Sequence, residues 1–288
     1  MDNFNSNNHV YDNGHFESWN DNFGKNFTDN FSLEHKQAMI RKNIETGGAY
    51  QAAVSGAYGE FTIATVFKSL SNEYHVMNDI LLQQGIKLRH YTPASIQRFG
   101  ETPFKIVKKN GKYYEVIKKS TQIDHLIVSP YGIFVIETKN HKGWVFGDIN
   151  GKVWTQVLSG EANWRAYGGH DHYTFYNPVK QNMGHLQELS KQLKIPMNYM
   201  AGMIVFTNPE AYLGNVNCDC CFTLDMLYAG ICSYTNRIWT DKQTEKMILA
   251  IEKLNSNSYT AAREHELYVK DIKHRKDINK MLFMQRRR

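Results

Sequence analysis

The feature that most constrains this chain is a pair of apolar runs in close succession, QIDHLIVS over 122–129 and GIFVIETKN over 132–140, joined at Pro130-Tyr131-Gly132. Runs of this length, rich in Ile, Val and Leu and bounded by turn residues, predict two strands of a hairpin. Alternation then places Gln122 and Asp124 on one face of the first strand and Glu137 and Lys139 on one face of the second. A charge at the end of an otherwise apolar sheet costs several kcal/mol unless it is paired or bound to metal. An Asp, a Glu and a Lys converging there need a reason.

Hydrolysis of phosphodiesters supplies one. Two carboxylates can hold Mg²⁺ in an oxygen-rich site that keeps positions for water and phosphate oxygens, and the ion acidifies the attacking water and offsets charge in the transition state. Lys139 can orient that water or stabilise developing negative charge. Glu60, on an Ala-rich segment of helical spacing, can complete the metal shell directly or through water, and Gln181 and His185, one helical turn apart, can line the same cleft. The competing reading of Asp124, Glu137 and Lys139 is a structural ion-pair network. Glu60 can equally cap its helix, Gln181 can be a surface residue, and His125 and His185 belong to a residue type that is more often structural than catalytic.

Around this hairpin the chain divides into three parts. Residues 1–46, rich in Asn and Phe, read as a flexible arm whose Phe4, Phe16, Phe23, Phe27 and Phe31 can dock onto a surface or a partner subunit. Residues 47–210 read as the core, with a first helix from about Gly48 to Leu70, a strand from Tyr74 to Leu82 and a basic insertion over about 83–120. Asn110-Gly111 marks a hairpin turn in that insertion. Its lysines Lys105, Lys108, Lys109, Lys112, Lys118 and Lys119, with Gln122 at its base, are candidate nucleic-acid contacts, and Tyr113 and Tyr114 are available for stacking. A merely solvated charged face is the alternative. A short strand near Trp144 to Gly147 precedes an irregular aromatic stretch that includes Trp154, Trp164 and Tyr173. Asn177-Pro178 then opens a helix to about Leu193, and the continuous apolar run Ala201–Thr207 predicts a strand covered on both faces. Residues 211–288 read as a mostly helical extension, basic toward its end, that can recruit a partner or a second copy of the chain.

With 42% hydrophobic and 22% charged residues among 288, the composition is that of a globular protein, and a formal net charge of +6 suits a polyanionic partner without requiring one. No apolar run approaches the roughly 20 residues needed to cross a bilayer, and no basic-then-apolar leader opens the chain, so a cytoplasmic protein with no membrane partner is expected. The 4 cysteines, Cys218, Cys220, Cys221 and Cys232, cluster rather than spread, which fits a reducing compartment. Their C-x-C-C spacing lacks the C-x2-C of zinc knuckles, so ordinary buried thiols are expected, with zinc the alternative. No G-x4-G-K-[ST] loop for ATP is present.

The order G-x-x-G-E (Gly56 to Glu60), Q-I-D-H-L-I-V, G-I-F-V-I-E-T-K-N and N-P-V-K-Q-N closely resembles the nuclease-related domain family, NERD, of the PD-(D/E)xK superfamily, from about Gly56 to Leu193. The resemblance implies an α/β fold: a restriction-endonuclease-like core in which a mixed central sheet is flanked by helices. It further implies a divalent-metal DNA nuclease using Mg²⁺ or Mn²⁺, with a role in prokaryotic defence or DNA processing. Carried over, Asp124 and Glu137 match the family's metal-binding acids, Lys139 its lysine, Glu60 its helix glutamate, and Gln122 and Gln181 its recurrent polar positions. The long basic insertion and the lengthened aromatic stretch depart from the pattern. The rival expectation is a catalytically silent or partner-activated module that keeps the nuclease fold as a scaffold for binding nucleic acid or for assembly.

Overall fold

The computed structural model describes residues 59, 62–91, 104–158, 171–256 and 258–285. The N-terminal arm, most of the first helix including Glu60, and Trp164 lie outside the described residues. Residues 62–67 are helical (α1). There follow β1 (His75–Tyr91), β2 (Lys105–Lys109), β3 (Lys112–Ser129), β4 (Gly132–Lys139), β5 (Gly143–Gly147), β6 (Val153–Leu158) and β7 (Asp171–Tyr176). After them come α2 (Pro178–Leu193), β8 (Met200–Phe206), β9 (Ala211–Val216), β10 (Cys221–Thr223), α3 (Leu224–Cys232), α4 (Asp241–Leu254) and α5 (Tyr259–Gln285).

The expected hairpin of β3 and β4 is the centre of a six-stranded mixed sheet of order β1-β3-β4-β8-β10, with β2 added to β3. β4 and β8 run parallel, as do β8 and β10, and the other pairs are antiparallel. The continuous apolar character of these strands follows from burial on both faces. On one face Leu126, Val128, Ile133 and Val135 meet Leu186 and Leu189 of α2 and Ile251 of α4. On the other, Ile127, Phe134, Ile136, Met203 and Val205 meet Ile63, Val66 and Phe67 of α1 and Leu227 and Ile231 of α3. Each such side chain contributes about 1.5–3 kcal/mol by leaving water, so the packing on both faces holds the centre of the sheet together.

The insertion is built differently from the expectation. β1 does not stop near Leu82 but runs 17 residues to Tyr91, paired with a comparably long β3 from His75↔Val128 to Tyr91↔Tyr113. The basic segment is therefore a continuation of two core strands, widened to three by β2. Asn110 and Gly111, at φ 49° and 74°, make its turn, both central residues having the positive φ that a type I′ hairpin requires. α5 lies along its base: Lys118 Nζ bonds both carboxylate oxygens of Glu264 (2.6 and 2.9 Å), Arg89 joins Glu115 and Asp271, and Ser120 Oγ meets His265 Nδ1 at 2.9 Å. Lys118, expected to face phosphate, is paired with Glu264 of α5 while its side chain stays 48% exposed.

Two further expectations are corrected. The aromatic stretch is not irregular throughout, because β6 and β7 join β5 and β9 in a second sheet of order β7-β6-β5-β9. Trp154 is its buried anchor, with Val145 and Ala211 beside it and its ring stacked over Phe206 of β8. Residues 211–223, assigned to a helical extension, begin with β9 and β10, one in each sheet. Short strands such as Cys221–Thr223 pair parallel with a distant segment, and no local periodicity announces that.

Candidate active site

The register of the hairpin decides which polar residues meet. His125 pairs with Ile136, and one step further along the same register sets Asp124 opposite Glu137. Across β1 the corresponding position is Asp79, flanked by Asn78↔His125 and Ile80↔Ile123, and Asp79 has φ 54°. That left-handed residue interrupts the strict alternation, since Met77 and Ile80 both reach the α2 side of the sheet. Gln122 donates to Asp79 Oδ1 at 2.9 Å, so its amide holds this interruption and does not point into the charged cluster.

Asp124 Oδ2 accepts from both the backbone N–H and the hydroxyl of Thr138, each at 2.9 Å. Glu137 is buried, 2% exposed, with Lys139 Nζ on Oε1 and His185 Nε2 at 3.2 Å from Oε2. Lys139 Nζ also donates to Gln181 Oε1 at 3.3 Å, and His185 Nδ1 lies 2.8 Å from Thr121 Oγ1. Thr121, His185, Glu137, Lys139 and Gln181 thus form one connected network across β3, β4 and α2. A buried carboxylate demands such partners.

The two acids respond oppositely to their surroundings. Burial, and next the Glu137 charge, push the Asp124 carboxyl up to about 6, against the Thr138 hydrogen bonds. For Glu137 burial also favours the neutral acid, but His185 and Lys139 together outweigh it and hold the carboxyl below its ordinary range. Two neighbouring carboxylates, one disfavoured by the charge of the other, are a donor set that a hard divalent cation would relieve.

The sequence NPVKQN-MGH explains how α2 delivers its share. Asn177 caps the helix through Oδ1, which accepts from Val179 and Lys180, while its Nδ2 donates to the carbonyls of Asp148, Ile149 and Gly151 in the β5–β6 turn. Pro178 stands in the first turn, where its missing N–H costs nothing. Asn182 donates to Val135 O at 2.8 Å and Met203 O at 3.2 Å, tying the helix to β4 and β8. Close approach is possible because β8 carries Gly202, where a Cβ would stand 2.8 Å from Leu186 Cδ1. Gln181 and His185 are thereby held over the rim, as their spacing predicts.

Of the expected residues, Asp124, Glu137, Lys139 and Gln181 come together. His125 does not: it sits on the opposite side, its Nδ1 2.8 Å from Asn78 Oδ1 and its ring edge-on to Phe67. Glu60 lies outside the described residues, although a Cβ on the preceding Gly59 would stand 2.5 Å from Thr207 Oγ1 and 3.2 Å from Asn140 Cβ, just past β8 and β4. Lys105, Lys108, Lys109 and Lys112 are exposed and Lys119 half-buried along the ribbon. At about 3.3 Å per residue, Lys112 is roughly 40 Å up β3 from Asp124. Thr121 and Thr138 carry no signal in the sequence. Thr138 follows Glu137 directly, so alternation alone assigns its side chain away from the acids.

The match to a family model agrees with this geometry: the model described as nuclease-related domain covers residues 55–207, from ahead of α1 to just past β8. A curated relative, an uncharacterized protein of Bacillus anthracis, is 30% identical over 113 residues, which is 38% of this chain and 47% of that protein. The chain thus spans about half the length of the curated relative it matches. No solved structure matches the chain. With the family model covering more than half of the 288 residues, and its span enclosing Asp124, Glu137, Lys139 and Gln181, the chain belongs to the nuclease-related domain family.

Proposed function

We propose that the protein is a DNA nuclease that hydrolyses phosphodiester bonds with Mg²⁺ or Mn²⁺, serving prokaryotic defence or DNA processing. The observation that carries this reading is the opposition of Asp124 and Glu137 across the β3–β4 hairpin with Lys139 beside them. The carboxylates of Asp124 and Glu137 would hold the ion, and a bound divalent ion supplies an acidified water and charge neutralisation at the phosphate. Thr138 fixes the Asp124 carboxylate through two hydrogen bonds to Oδ2, which limits its reorganisation when an ion binds. Lys139, shared between Glu137 and Gln181, is the cation placed to orient a water or to meet charge developing on a phosphoryl oxygen. Gln181 and His185 keep Lys139 and Glu137 in register. The ribbon of β1, β2 and β3 is about as long as one turn of duplex DNA and bears Lys105, Lys108, Lys109 and Lys112 toward solvent, which supports backbone contacts away from the reacting phosphate.

One observation favours a second reading, activation by a partner or by the substrate itself. Both oxygens of Glu137 are already engaged, by Lys139 and His185, so an ion must share or displace those contacts. Cleavage of supercoiled and linear DNA by the purified protein with Mg²⁺, Mn²⁺ or EDTA, alongside Glu137→Ala and Lys139→Ala, tests both. Metal-dependent cutting lost in both variants is expected. Tight DNA binding with no cutting under any condition would remove the stand-alone enzyme and leave the scaffold or partner-activated reading.

A further inference from the structure

Between β9 and β10 the chain leaves the four-stranded sheet and enters the six-stranded one, and the residues at the crossing are Cys218-Asp219-Cys220-Cys221. The turn is closed by the N–H of Cys221 donating to Cys218 O at 3.2 Å and the N–H of Cys220 donating to Cys218 Sγ at 3.3 Å. It is pinned to β8 by the N–H of Ile204 donating to Cys220 O at 2.8 Å, and to the small sheet by Asn217 Oδ1, which accepts from Ile149 N at 3.0 Å. The sulfurs of Cys218, Cys220 and Cys221 all lie within 4.8 Å of one another, and all three residues are half-buried. Cys218 and Cys220 form a disulfide, whereas Cys221 is a free thiol, as is Cys232 in α3. The expectation of ordinary buried thiols is thus corrected for Cys218 and Cys220.

We propose that in the reduced protein Cys218, Cys220 and Cys221 bind a soft, thiophilic cation of the Zn²⁺ type, which clips the crossing between the two sheets. Four-coordinate zinc at about 2.3 Å from each sulfur sets its sulfurs about 3.8 Å apart, so side-chain rotations suffice to bring three already gathered sulfurs into position. The fourth position falls to water or a further ligand. The site is chemically distinct from Asp124 and Glu137: thiolates select soft ions, carboxylates hard ones. The disulfide is the form that cannot ligate. A phosphine reductant opens it by delivering two electrons to the S–S bond and taking an oxygen atom from water, which leaves two thiols, and metal binding then releases thiol protons to solvent.

The test uses the full chain, reduced with a phosphine, desalted without oxygen and titrated with Co²⁺ and then Zn²⁺. Expected is a sulfur-to-cobalt charge-transfer band in the near ultraviolet that saturates at one ion per chain and disappears when Zn²⁺ is added. The band should be lost in Cys221→Ser and in the double variant Cys218→Ser/Cys220→Ser, whose folding is checked by circular dichroism. It should persist in Cys232→Ser and in Asp124→Asn. No band from the reduced protein, or a band that survives in folded Cys221→Ser and the folded double variant, would overturn the proposal.

Discussion

The rim formed by β3, β4 and α2 and the ribbon formed by β1, β2 and the first half of β3 both carry charges, and treat them in opposite ways. At the rim each charged group lies within hydrogen-bond reach of a partner, so that Glu137 touches both Lys139 and His185. Along the ribbon, Arg89 is held by Glu115 and Asp271 in the same way, but Lys109 is exposed, Lys108 is exposed beside the Tyr113 ring, and Lys118 and Glu264 form a pair at 48% and 33% side-chain exposure. Solvent screens the second kind and not the first. The same residue types are therefore specific chemistry in one place and an adjustable electrostatic field in the other.

The sharpest way to break this contrast is to remove Glu137. Glu137→Ala strands a buried Lys139 and His185, and should cost about 3–5 kcal/mol in urea unfolding and about a thousand-fold or more in DNA cleavage. A variant as stable as the parent would show that the rim tolerates an unpaired cation and is not the buried network described. Next in size is the effect of the ion: Mn²⁺ at about 100 times its Kd should stabilise the parent by about 2.7 kcal/mol and leave Asp124→Asn nearly unaffected, as read by thermal unfolding. Equal stabilisation of both would detach metal binding from the rim.

Asn177→Ala probes whether α2 is positioned by its cap. Removing the cap and the three hydrogen bonds from its Nδ2 should cost about 2 kcal/mol, with cleavage reduced because Gln181 and His185 are displaced together. A drop in stability with cleavage intact would separate the helix from the chemistry. On the ribbon, the double variant Lys108→Gln/Lys109→Gln should change stability by less than about 0.5 kcal/mol while weakening DNA binding uniformly across sequences. The slope of log affinity against log salt should fall by about one for each phosphate no longer neutralised. Unchanged binding would make the ribbon a solvated face.

The remaining test is one of pH. Burial, and next the Lys139 charge, push the His141 imidazole down to about 4. Its folded pKa lies below its unfolded value near 6.5, so the unfolded state binds more protons between those limits. The stability it contributes is complete above about pH 6.5 and is lost as pH falls toward 4. The acid-side slope of unfolding free energy should flatten in His141→Gln, and an unchanged slope would assign the acid sensitivity to other groups.

The rim is legible in the sequence to the extent that it obeys local rules. Asp124, Glu137 and Lys139 stand out because charge interrupts strands that are otherwise Ile, Val and Leu. Helical spacing behind an unmistakable Asn-Pro start places Gln181 and His185 together. Thr121 and Thr138 escape such a reading because a threonine in a strand is unremarkable, and their roles depend on partners at His185 and Asp124. Alternation aims Gln122 at substrate, and only the left-handed turn of Asp79 on the neighbouring strand explains where its amide goes instead.

What the amino-acid sequence determined by itself was the set of local elements and their order: the β3–β4 hairpin, the Asn110-Gly111 turn, the capped α2 and the doubly covered β8. These follow from periodicity, burial pattern and turn chemistry, which act between residues close in the chain. The tertiary structure alone decided that β1 and β3 run on into the ribbon, that β6 and β7 join β5 and β9 in a second sheet, and that α5 lies along the ribbon's base. It also set the Cys218–Cys221 run, already clustered in the chain, at the crossing between sheets. Those outcomes rest on pairing and packing between segments tens to more than a hundred residues apart, and no local pattern encodes which distant strand will supply the missing hydrogen bonds.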